Sequence, residues 1–362
     1  MNYLDSKLHS PKYWQLAERF RAQLKDGTLK PGDRLPTLNE MRDDHNISRT
    51  TVEKAYGLLE RDGLIERLHG SGVFVSQPRR RSTHGVIGLS GFGFSFNGNS
   101  SYWAQLLGGI HEAAAREEMQ LLILNPASHQ GWEKADGLLI CGWDDRRQLP
   151  SFPYGLPLVS LLTLVPGVAS VTADDELGAH EATKRLIQLG HRRIAYLHGH
   201  AVENSVAWNR LLGYRTALQE AGISPQAQWT RCLHGHYYFD TEFTSEAFKN
   251  VQHWLKSDWS TLGCTALVCH NDQASWGAVQ AFNEAGIRVP QDVSIVGFDG
   301  TEYCDLVTPK LSSIELPLRE IGVAGVELLL KQIKADEISE EHRVLPIQLR
   351  ERESTAVPSH YI

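Results

Sequence analysis

The sequence predicts an α/β protein in which an N-terminal winged helix-turn-helix precedes a two-lobed, doubly wound body. Three short helical patterns and a β-hairpin lie before residue 76. From residue 85 onward, short apolar runs alternate with amphipathic helical segments, which is the pattern of parallel sheets covered by helices. A polar, arginine-rich stretch at residues 76–82, SQPRRRS, separates the two patterns and is typical of a linker.

Apolar residues at helical spacing predict the three helices of the head. The first covers residues 12–26 and the second about 37–44, while the third begins after Ser48, a suitable N-cap, and ends at 62–63. Two short strands at 64–68 and 73–75 are joined by the turn HGSG, which predicts a hairpin. Three short helices and a hairpin make a winged helix-turn-helix.

Continuous apolar runs predict buried parallel strands in the body. The runs are residues 86–89, 121–124, 137–140, 158–161, 193–197, 266–269 and 293–298. Helices at 176–189 and 209–221 are followed by Gly190 and Gly222, because glycine suits a helix C-terminus. Sheets of this kind bind ligands beyond the carboxyl ends of their strands.

Charge and hydropathy predict a cytoplasmic protein with no membrane partner. The chain of 362 residues has a formal net charge of −7 and no run of 18 apolar residues. Residues 1–81 carry a net charge of +4, whereas residues 82–362 carry −11. A basic head on an acidic body is expected if only the head meets phosphates. The polar N-terminus lacks the apolar core of a signal peptide.

The head resembles the GntR family of bacterial transcription regulators over nearly all of residues 12–75. The resemblance is carried by LKPGDRLPT at 29–37, ISRTTV at 47–52 and the wing sequence ERDGLIERLHGSGVFV at 60–75. It implies that the head binds double-stranded operator DNA.

From about residue 85 to 358 the chain resembles the sugar-responsive effector domain of the LacI/GalR family, which has a periplasmic-binding-protein-like fold. The motifs are LIQLGHRRIA at 186–195, GYRTAL at 213–218, HND at 270–272, VPQDVSIVGFD at 289–299 and REST at 352–355. The pairing of this head with this body is similar to the arabinose-repressor branch of GntR regulators.

These resemblances imply a DNA-binding head at residues 1–77, a linker at 78–84 and a ligand-binding body at 85–362. They imply a repressor, not an enzyme and without a cofactor, whose operator affinity is controlled by a small molecule, expected to be a sugar or sugar derivative. Paired heads suit a twofold operator, so we expect a homodimer. The alternative is control by a protein corepressor, with a vestigial ligand pocket.

Sensing is expected to act through closure of the two lobes. A ligand held between them favours the closed form, and closure moves the linker and changes the spacing of the paired heads. The chain is expected to cross between the lobes three times, near Gly190, near residues 311–314 and near 334–343.

The expected DNA contacts lie at the starts of the second and third helices and at the wing tip. They are Arg34, Thr37, Ser48, Arg49, Thr50, Thr51, His69 and Gly70. Arg49, at the start of the recognition helix, can donate two hydrogen bonds to guanine; its alternative is a surface pair with an acidic residue. Arg34 and Thr37 are expected to hold phosphate. Glu53, where many relatives have arginine, either accepts from cytosine N4 or points away.

Eight residues of the body are expected to hold the effector: Tyr102, Trp103, Asp175, Trp208, Arg210, Tyr237, Asn271 and Asp299. Asn271 and Asp299 each follow an apolar run and supply donors and acceptors for a neutral sugar, as does Asp175. The alternative for these three is helix capping. The aromatic residues can stack on a sugar ring, and core packing is their alternative.

The body departs from the LacI/GalR pattern at three places. Leu162 and Thr163 stand where relatives usually have Asp-Arg, and about one helix is missing between residues 125 and 136. Trp208 replaces an arginine that grips the ligand in many relatives, although Arg210 lies nearby. These departures bear on the identity of the ligand and not on the architecture.

Two His-x-His pairs, at 198–200 and 234–236, raise the possibility of a metal site. On strands, both imidazoles of such a pair lie on one face. Zinc needs further ligands and none is indicated, so no metal is expected. No catalytic triad, P-loop or carboxylate-dyad signature rises above chance, in line with a protein that is not an enzyme.

Overall fold

The computed structural model describes residues 11–25, 27–45, 47–61, 64–68, 71–76, 84–91, 101–125, 131–142, 156–201, 205–233 and 243–359. The chain forms two compact units, one of Met1–His84 with Arg147–Pro157, the other of Gly85–Arg146 with Leu158–Ile362. No helix in the described ranges is long and apolar enough to span a membrane. The predicted fold class is confirmed: the first unit contains the winged helix-turn-helix and the second the two-lobed body.

The head contains the three helices and the hairpin that the sequence predicts. They are α1 (Lys12–Lys25), α2 (Leu38–His45), α3 (Arg49–Arg61), β1 (Ile65–Leu68) and β2 (Gly72–Val75). The two strands pair antiparallel, and an isolated bridge between Arg34 and Phe74 adds a third chain segment to the wing. The apolar stripes of the helices meet in one core, whose fully buried members include Leu16, Met41, Val52, Tyr56 and Leu59.

The first lobe of the body is an all-parallel sheet of six strands in the order β13-β7-β6-β5-β3-β4. Its strands are β3 (Val86–Gly91), β4 (Gln120–Leu124), β5 (Gly137–Cys141), β6 (Leu158–Leu161), β7 (Ala169–Ala173) and β13 (His342–Leu345). Helices α4 (Ser101–Arg116) and α11 (Leu318–Ala335) pack against it and against each other. Strands β3 and β5 are almost wholly buried, as their continuous apolar runs predict.

The second lobe is a sheet of six strands in the order β14-β12-β11-β10-β8-β9, parallel except for β14. Its strands are β8 (Ile194–His198), β9 (Thr230–Cys232), β10 (Ala266–Cys269), β11 (Ser294–Asp299), β12 (Ser312–Glu315) and β14 (Gln348–Arg350). Its helices are α5 (Asp175–Gln188), α6 (Val206–Glu220), α7 (Phe243–Ser257), α8 (Trp259–Leu262), α9 (Asp272–Glu284) and α10 (Tyr303–Leu306).

The predicted lobe crossing near Gly190 is wrong, whereas the other two crossings lie a few residues beyond their predicted positions. The chain crosses from β7 to α5 at residues 173–175, from β12 to α11 at 315–318, and from β13 to β14 at 345–348. Gly190 instead follows α5 within the second lobe. Lobe membership depends on which strands pair, and β13 pairs with β7 across about 170 residues of sequence, with His342 opposite Ser170. A local pattern of apolar residues carries no signal for such a pairing.

The connection between β4 and β5 is short. Among its described residues, the only helical ones are the 3-10 helix Trp132–Lys134; residues 126–130 lie outside the described ranges. This is in keeping with the prediction that a helix is missing here. Strand β4 is the edge strand of its sheet, and its Ile123 is exposed.

Three helix pairs of the body approach each other backbone to backbone at a glycine. A Cβ atom at Gly109 of α4 would lie 2.0 Å from the Arg319 carbonyl oxygen of α11. The corresponding distance is 2.0 Å from Gly213 of α6 to the Glu176 oxygen, and 2.1 Å from Gly277 of α9 to the Thr244 oxygen. Only glycine permits such an approach, because any side chain would push the helices apart.

Candidate DNA-binding surface and effector site

The recognition helix α3 is fixed by its buried face and by its first turn. Val52 and Tyr56 lie fully in the core of the head, and the Tyr56 hydroxyl donates to the Pro36 carbonyl oxygen at 2.5 Å. Ser48 precedes the helix and its Oγ accepts from the Thr51 backbone N–H at 3.2 Å, as the predicted N-cap would. The opposite face and the start of the helix, including Thr50, are left exposed.

Arg49 pairs with Glu53 one turn further along α3. The Arg49 Nε donates to Glu53 Oε1 at 3.1 Å, and the two side chains are 70% and 44% exposed. The surface pair that was the alternative for Arg49 is therefore present. An exposed pair of this kind is weak, so it leaves the guanidinium able to reach a base edge.

A capping box starts α2. Thr37 Oγ1 accepts from the Glu40 backbone N–H at 3.2 Å, and Glu40 Oε2 accepts from the Thr37 N–H at 2.6 Å. The hydrogen bond from the Thr37 backbone lowers the pKa of Glu40 below its ordinary value. Arg34 is exposed and its side chain runs past Gly72 in the wing. The remaining predicted contacts, His69 and Gly70, lie outside the described residues.

In the body, a buried arginine joins two predicted effector residues. Arg210 of α6 donates from Nε to Asp175 Oδ1 at 2.7 Å and from a terminal nitrogen to Asp299 Oδ1 at 3.5 Å. Its other terminal nitrogen donates to the His270 carbonyl oxygen at 2.6 Å, and its guanidinium carbon lies 3.7 Å from the centre of the Phe298 ring. The guanidinium is thereby held on several sides.

This acidic pair and its arginine stand at the carboxyl edge of the second sheet, beside two of the lobe crossings. Asp175 begins α5 directly after the first crossing, and the Leu316 N–H in the second crossing donates to the Asp299 carbonyl oxygen at 3.2 Å. Asp299 has a φ of 105°, a conformation that non-glycine residues adopt at a cost of about 1–3 kcal/mol and mostly at functional sites.

The pKa values of the two aspartates reflect their burial and the charged groups around them. Burial raises the pKa of Asp175 above its ordinary value, and the charge of Arg210 opposes this. Burial raises the pKa of Asp299 further, with Asp272 and Asp175 adding to the effect and Arg210 opposing it. Asp272 itself accepts from the Thr301 N–H at 2.7 Å and from the Ser313 hydroxyl at 2.5 Å. It ties the ends of β10, β11 and β12 together.

Tyr102, from the first lobe, lies near enough to the same cluster for the charges of Asp299 and Arg210 to act on its hydroxyl. It is the second residue of α4, and its ring packs edge-to-face on that of Trp103, with 5.1 Å between centroids. Burial raises the pKa of Tyr102 well above its ordinary value, and the nearby charge of Asp299 raises it further. Tyr102, Asp175, Arg210 and Asp299, four of the eight predicted residues, thus lie together where the two lobes meet.

Among the other predicted effector residues, Asn271 has a structural role. Asn271 is the N-cap of α9, because its Oδ1 accepts from the Ala274 N–H at 2.9 Å, so the capping alternative holds for this residue. Asp174, and not Asp175, caps α5. Trp208 is half-buried in the first turn of α6, and no hydrogen bond or ring contact is seen between its side chain and the cluster among the described residues. Tyr237 lies outside the described residues.

Sequence reasoning missed His270 and Phe298, which hold Arg210 through a carbonyl oxygen and a ring face. The HND motif marks the position of His270, but no pattern shows that its backbone oxygen is the acceptor. Burial lowers the pKa of the His270 imidazole well below its ordinary value. Leu162 and Thr163, the departures at the end of β6, are both buried, and Leu162 has a φ of 70°.

The metal interpretation of the His-x-His pairs gains no support. His198 Nδ1 lies 2.7 Å from the Gly199 carbonyl oxygen. Within the described ranges, no three His, Cys, Asp or Glu residues are grouped as a metal ion would need. His234 and His236 lie outside those ranges.

The fold and these two sites define a bacterial transcription regulator, and comparison with known proteins supports this class. The model of the gntR family of bacterial regulatory proteins matches residues 12–75, and that of the periplasmic binding protein-like domain matches residues 183–355. The chain belongs to the LacI-type regulators by its body and carries a gntR-family helix-turn-helix as its head.

Relatives match over most of their length. The chain is 27% identical over 344 residues to the arabinose metabolism transcriptional repressor of Geobacillus stearothermophilus, covering 90% of this chain and 92% of that one. It is 31% identical over 266 residues to the ribose operon repressor of Haemophilus influenzae, covering 69% and 75%. The crystal structure of a LacI family transcriptional regulator from Mycobacterium smegmatis aligns with a TM-score of 0.63 and 28% identity, covering 75% and 100%.

Proposed function

We propose that this protein is a transcription repressor whose affinity for operator DNA is controlled by a sugar or sugar derivative bound between the two lobes of its body. The observation that carries the proposal is the cluster of Tyr102, Asp175, Arg210 and Asp299, in which residues of both lobes meet beside two lobe crossings. Carboxylate acceptors beside aromatic rings are what a polyhydroxylated ring requires.

The proposed chemistry of the site follows from its polar atoms. Asp299 accepts from sugar hydroxyls, the free N–H groups of Arg210 donate to them, and Tyr102 closes over the ring from the first lobe. Two relatives are named for arabinose metabolism and for the ribose operon, which supports a sugar as the effector. An effector of the arabinose-repressor type is the first to try, since that relative matches both head and body.

In the proposed mechanism the head binds one half of a twofold operator and the body pairs two chains. The DNA contacts are Arg34, Thr37, Ser48, Arg49, Thr50 and Thr51, with His69 and Gly70 at the wing tip. We assign residues 1–77 to the head, 78–84 to the linker and 85–362 to the body. Effector binding favours one arrangement of the lobes, and the linker carries that change to the head. The complex acts in the cytoplasm.

A thermal-shift panel of neutral sugars tests the proposal, followed by release of an operator duplex selected from random DNA. A sugar that raises the melting temperature and alters operator affinity supports the proposal. If no sugar does either, while a bacterial extract fraction containing protein alters operator affinity, control by a protein corepressor is correct instead. Light scattering at micromolar concentration checks the homodimer, which a monomer with full operator affinity would contradict.

A further inference from the structure

The point where the linker enters the body is fastened on both sides. The Gly85 carbonyl oxygen accepts from the Gln120 backbone N–H of β4 at 2.7 Å. On the other side, the Val86 carbonyl oxygen accepts from the Asp136 backbone N–H at 2.8 Å, and the Val86 N–H donates to Oδ2 of the Asp136 carboxylate at 3.1 Å. Both backbone groups of Val86, the first residue of β3, are therefore bound to Asp136.

The carboxylate of Asp136 adds an acceptor beyond the end of the strand pairing. Asp136 directly precedes β5, whose pairing with β3 begins at Gly137 opposite Ile87. The bond to the Val86 N–H therefore comes from a side chain placed one residue ahead of the paired strand. Asp136 is 3% exposed, and a buried donor that loses its acceptor is costly. Removal of this carboxylate loosens the first strand residue after the linker and leaves the rest of the strands paired.

Strands β3 and β5 run side by side from this point to the effector cluster. They end at Gly91 and Cys141, and the Cys141 thiol lies near enough to Tyr102 to contribute to the raised pKa of its hydroxyl. At about 3.3 Å per residue, the two strands span about 17 Å. A Cβ at Gly91 would lie 2.7 Å from the Cys141 carbonyl oxygen, and one at Gly88 would lie 2.3 Å from the Leu138 side chain. Such close packing makes the two strands a stiff connection.

Movement of the lobes reaches the head through the linker only if the linker is firmly attached, because slack in the chain absorbs the movement. Each residue that leaves the sheet adds about 3.3–3.6 Å of reach. One nucleotide step along an operator strand measures about 3.4 Å. Loosening by a single residue is therefore as large as a change of one base pair in the distance between half-sites.

We infer that Asp136 is a positioning residue, which fixes the linker to the first lobe so that lobe movement on effector binding changes the spacing of the paired heads. The inference rests on the proposed function and specifies its regulation. Asp136 is buried at the amino end of β5, whereas the effector cluster lies beyond the carboxyl end. Its loss should therefore leave effector binding itself unchanged.

The first experiment measures how strictly the full-length protein reads the distance between half-sites. Fluorescence anisotropy gives its affinity for the selected operator and for a copy with one base pair inserted between the half-sites. We expect the wild type to bind the copy roughly 5- to 150-fold more weakly, the cost of a lost base contact. Asp136→Ala lowers this ratio to about threefold or less, because looser heads follow the displaced half-site. Asp136→Asn keeps the wild-type ratio, since its side-chain oxygen still accepts from the Val86 N–H.

The second experiment measures the coupling between sugar and operator in the same three proteins. The probe is whichever of L-arabinose, D-ribose and cellobiose alters the operator affinity of the wild type, by about 5- to 150-fold. Asp136→Ala reduces this factor to about twofold or less, while its sugar affinity measured without DNA stays within about twofold of the wild type. Asp136→Asn retains the full factor. A merely structural role of Asp136 would weaken sugar binding as well.

A folded Asp136→Ala protein with the wild-type spacing ratio and the wild-type sugar response overturns the inference and leaves a sugar-controlled repressor standing. Equal losses in Asp136→Ala and Asp136→Asn also overturn it. If none of the three sugars acts on the wild type, the proposed function fails, and the spacing ratio alone decides whether Asp136 fixes the linker. Should Asp136→Ala fail to fold, one glycine inserted between His84 and Gly85 adds the same reach with Asp136 intact. An unchanged spacing ratio in that protein overturns the inference.

Discussion

Arg49 and Glu53 form an ion pair on the exposed side of the recognition helix, with 3.1 Å between Nε and Oε1. They stand at i and i+4, where side chains of one helix face meet. The Glu53 carboxylate therefore contacts the guanidinium of Arg49, which is the group expected to read a base. This pair orients the guanidinium of Arg49 and places a negative charge beside it.

Arg49→Ala is predicted to weaken specific operator binding and to leave effector binding intact. The loss of one bidentate base contact costs about 1–3 kcal/mol, which is roughly 5- to 150-fold in operator affinity at fixed salt. A gel shift against selected operator DNA measures it. Lys54→Ala is the matched control, because it removes a positive charge from the same helix where Lys54 lies 5.8 Å from the Tyr13 ring. Equal effects of the two variants would contradict the assignment of Arg49.

Glu53→Gln is predicted to strengthen binding to DNA of unrelated sequence about two- to fivefold. The substitution removes a negative charge that repels phosphate and releases Arg49 from an exposed pair worth about 0.2–1 kcal/mol. Anisotropy titrations at two salt concentrations check it, since a gain of electrostatic origin shrinks as salt rises. A weakening confined to the selected operator would instead show that Glu53 accepts from a cytosine.

Two adjacent glycines of α4 provide a test of the helix packing in the first lobe. Gly109→Ala is predicted to destabilise the body by about 1–3 kcal/mol, because its Cβ would meet the Arg319 backbone oxygen of α11 at 2.0 Å. Gly108→Ala is the control: its Cβ would lie 3.5 Å from an Arg319 side-chain nitrogen, which is ordinary contact. We expect this neighbour to be neutral or to stabilise by about 0.5–1 kcal/mol. Urea unfolding measures the free energy of unfolding of both variants, and we expect it to be lower for Gly109→Ala than for Gly108→Ala. Equal free energies would contradict the close packing of α4 and α11.

His191 is predicted to make the stability of the body depend on pH. Its ring contacts the Thr265 and Ser294 hydroxyls at 2.8 and 3.1 Å and the Ala356 carbonyl oxygen at 2.9 Å. Burial lowers the pKa of His191 below its ordinary value of 6.5, while the Ala356 oxygen opposes this. As pH falls below about 6.5, the unfolded chain takes up a proton that the folded protein refuses, so stability decreases.

The loss attributable to His191 is at most about 1.4 kcal/mol per pH unit and is absent above about pH 7.5. His191→Gln should therefore flatten the acid side of a plot of unfolding free energy against pH. The same substitution at the exposed His111 serves as the control. If the unfolding free energy of His191→Gln still falls with decreasing pH as steeply as that of the wild type, a group other than His191 takes up the proton.

The sequence predicts the parts of this fold that depend on local periodicity. Helix α3 and strands such as β10 were identifiable because their apolar residues recur at one spacing or form one run. Strand β7, ASVTA, was not predicted because its residues are small and partly polar, although all five are buried. The lobe crossings follow from pairings such as β7 with β13, which no local pattern reports.

The effector site, like the fold, could be predicted only in part from the sequence. The types of its residues were predictable, because Asp299 follows an apolar run and such ends meet at one edge of a sheet. The contact between Arg210 and Asp175 was not, since the two residues lie 35 positions apart on different helices. The role of Asp175 as the partner of Arg210 emerges only when α5 and α6 are placed together, whereas the capping role of Asn271 is local to α9 and was an alternative that the sequence left open.

The most direct test of the central claim measures operator affinity in the wild type and in Asp299→Ala, with and without the sugar found by thermal shift. Fluorescence anisotropy of the selected operator duplex gives all four values. The wild type should change its operator affinity by about 5- to 150-fold on adding sugar, and operator DNA should change its sugar affinity by the same factor. Asp299→Ala should bind the operator with unchanged affinity and show no response. A variant that still responds at wild-type sugar concentrations, or a coupling seen in one direction alone, would contradict control of the head by an effector held at Asp299.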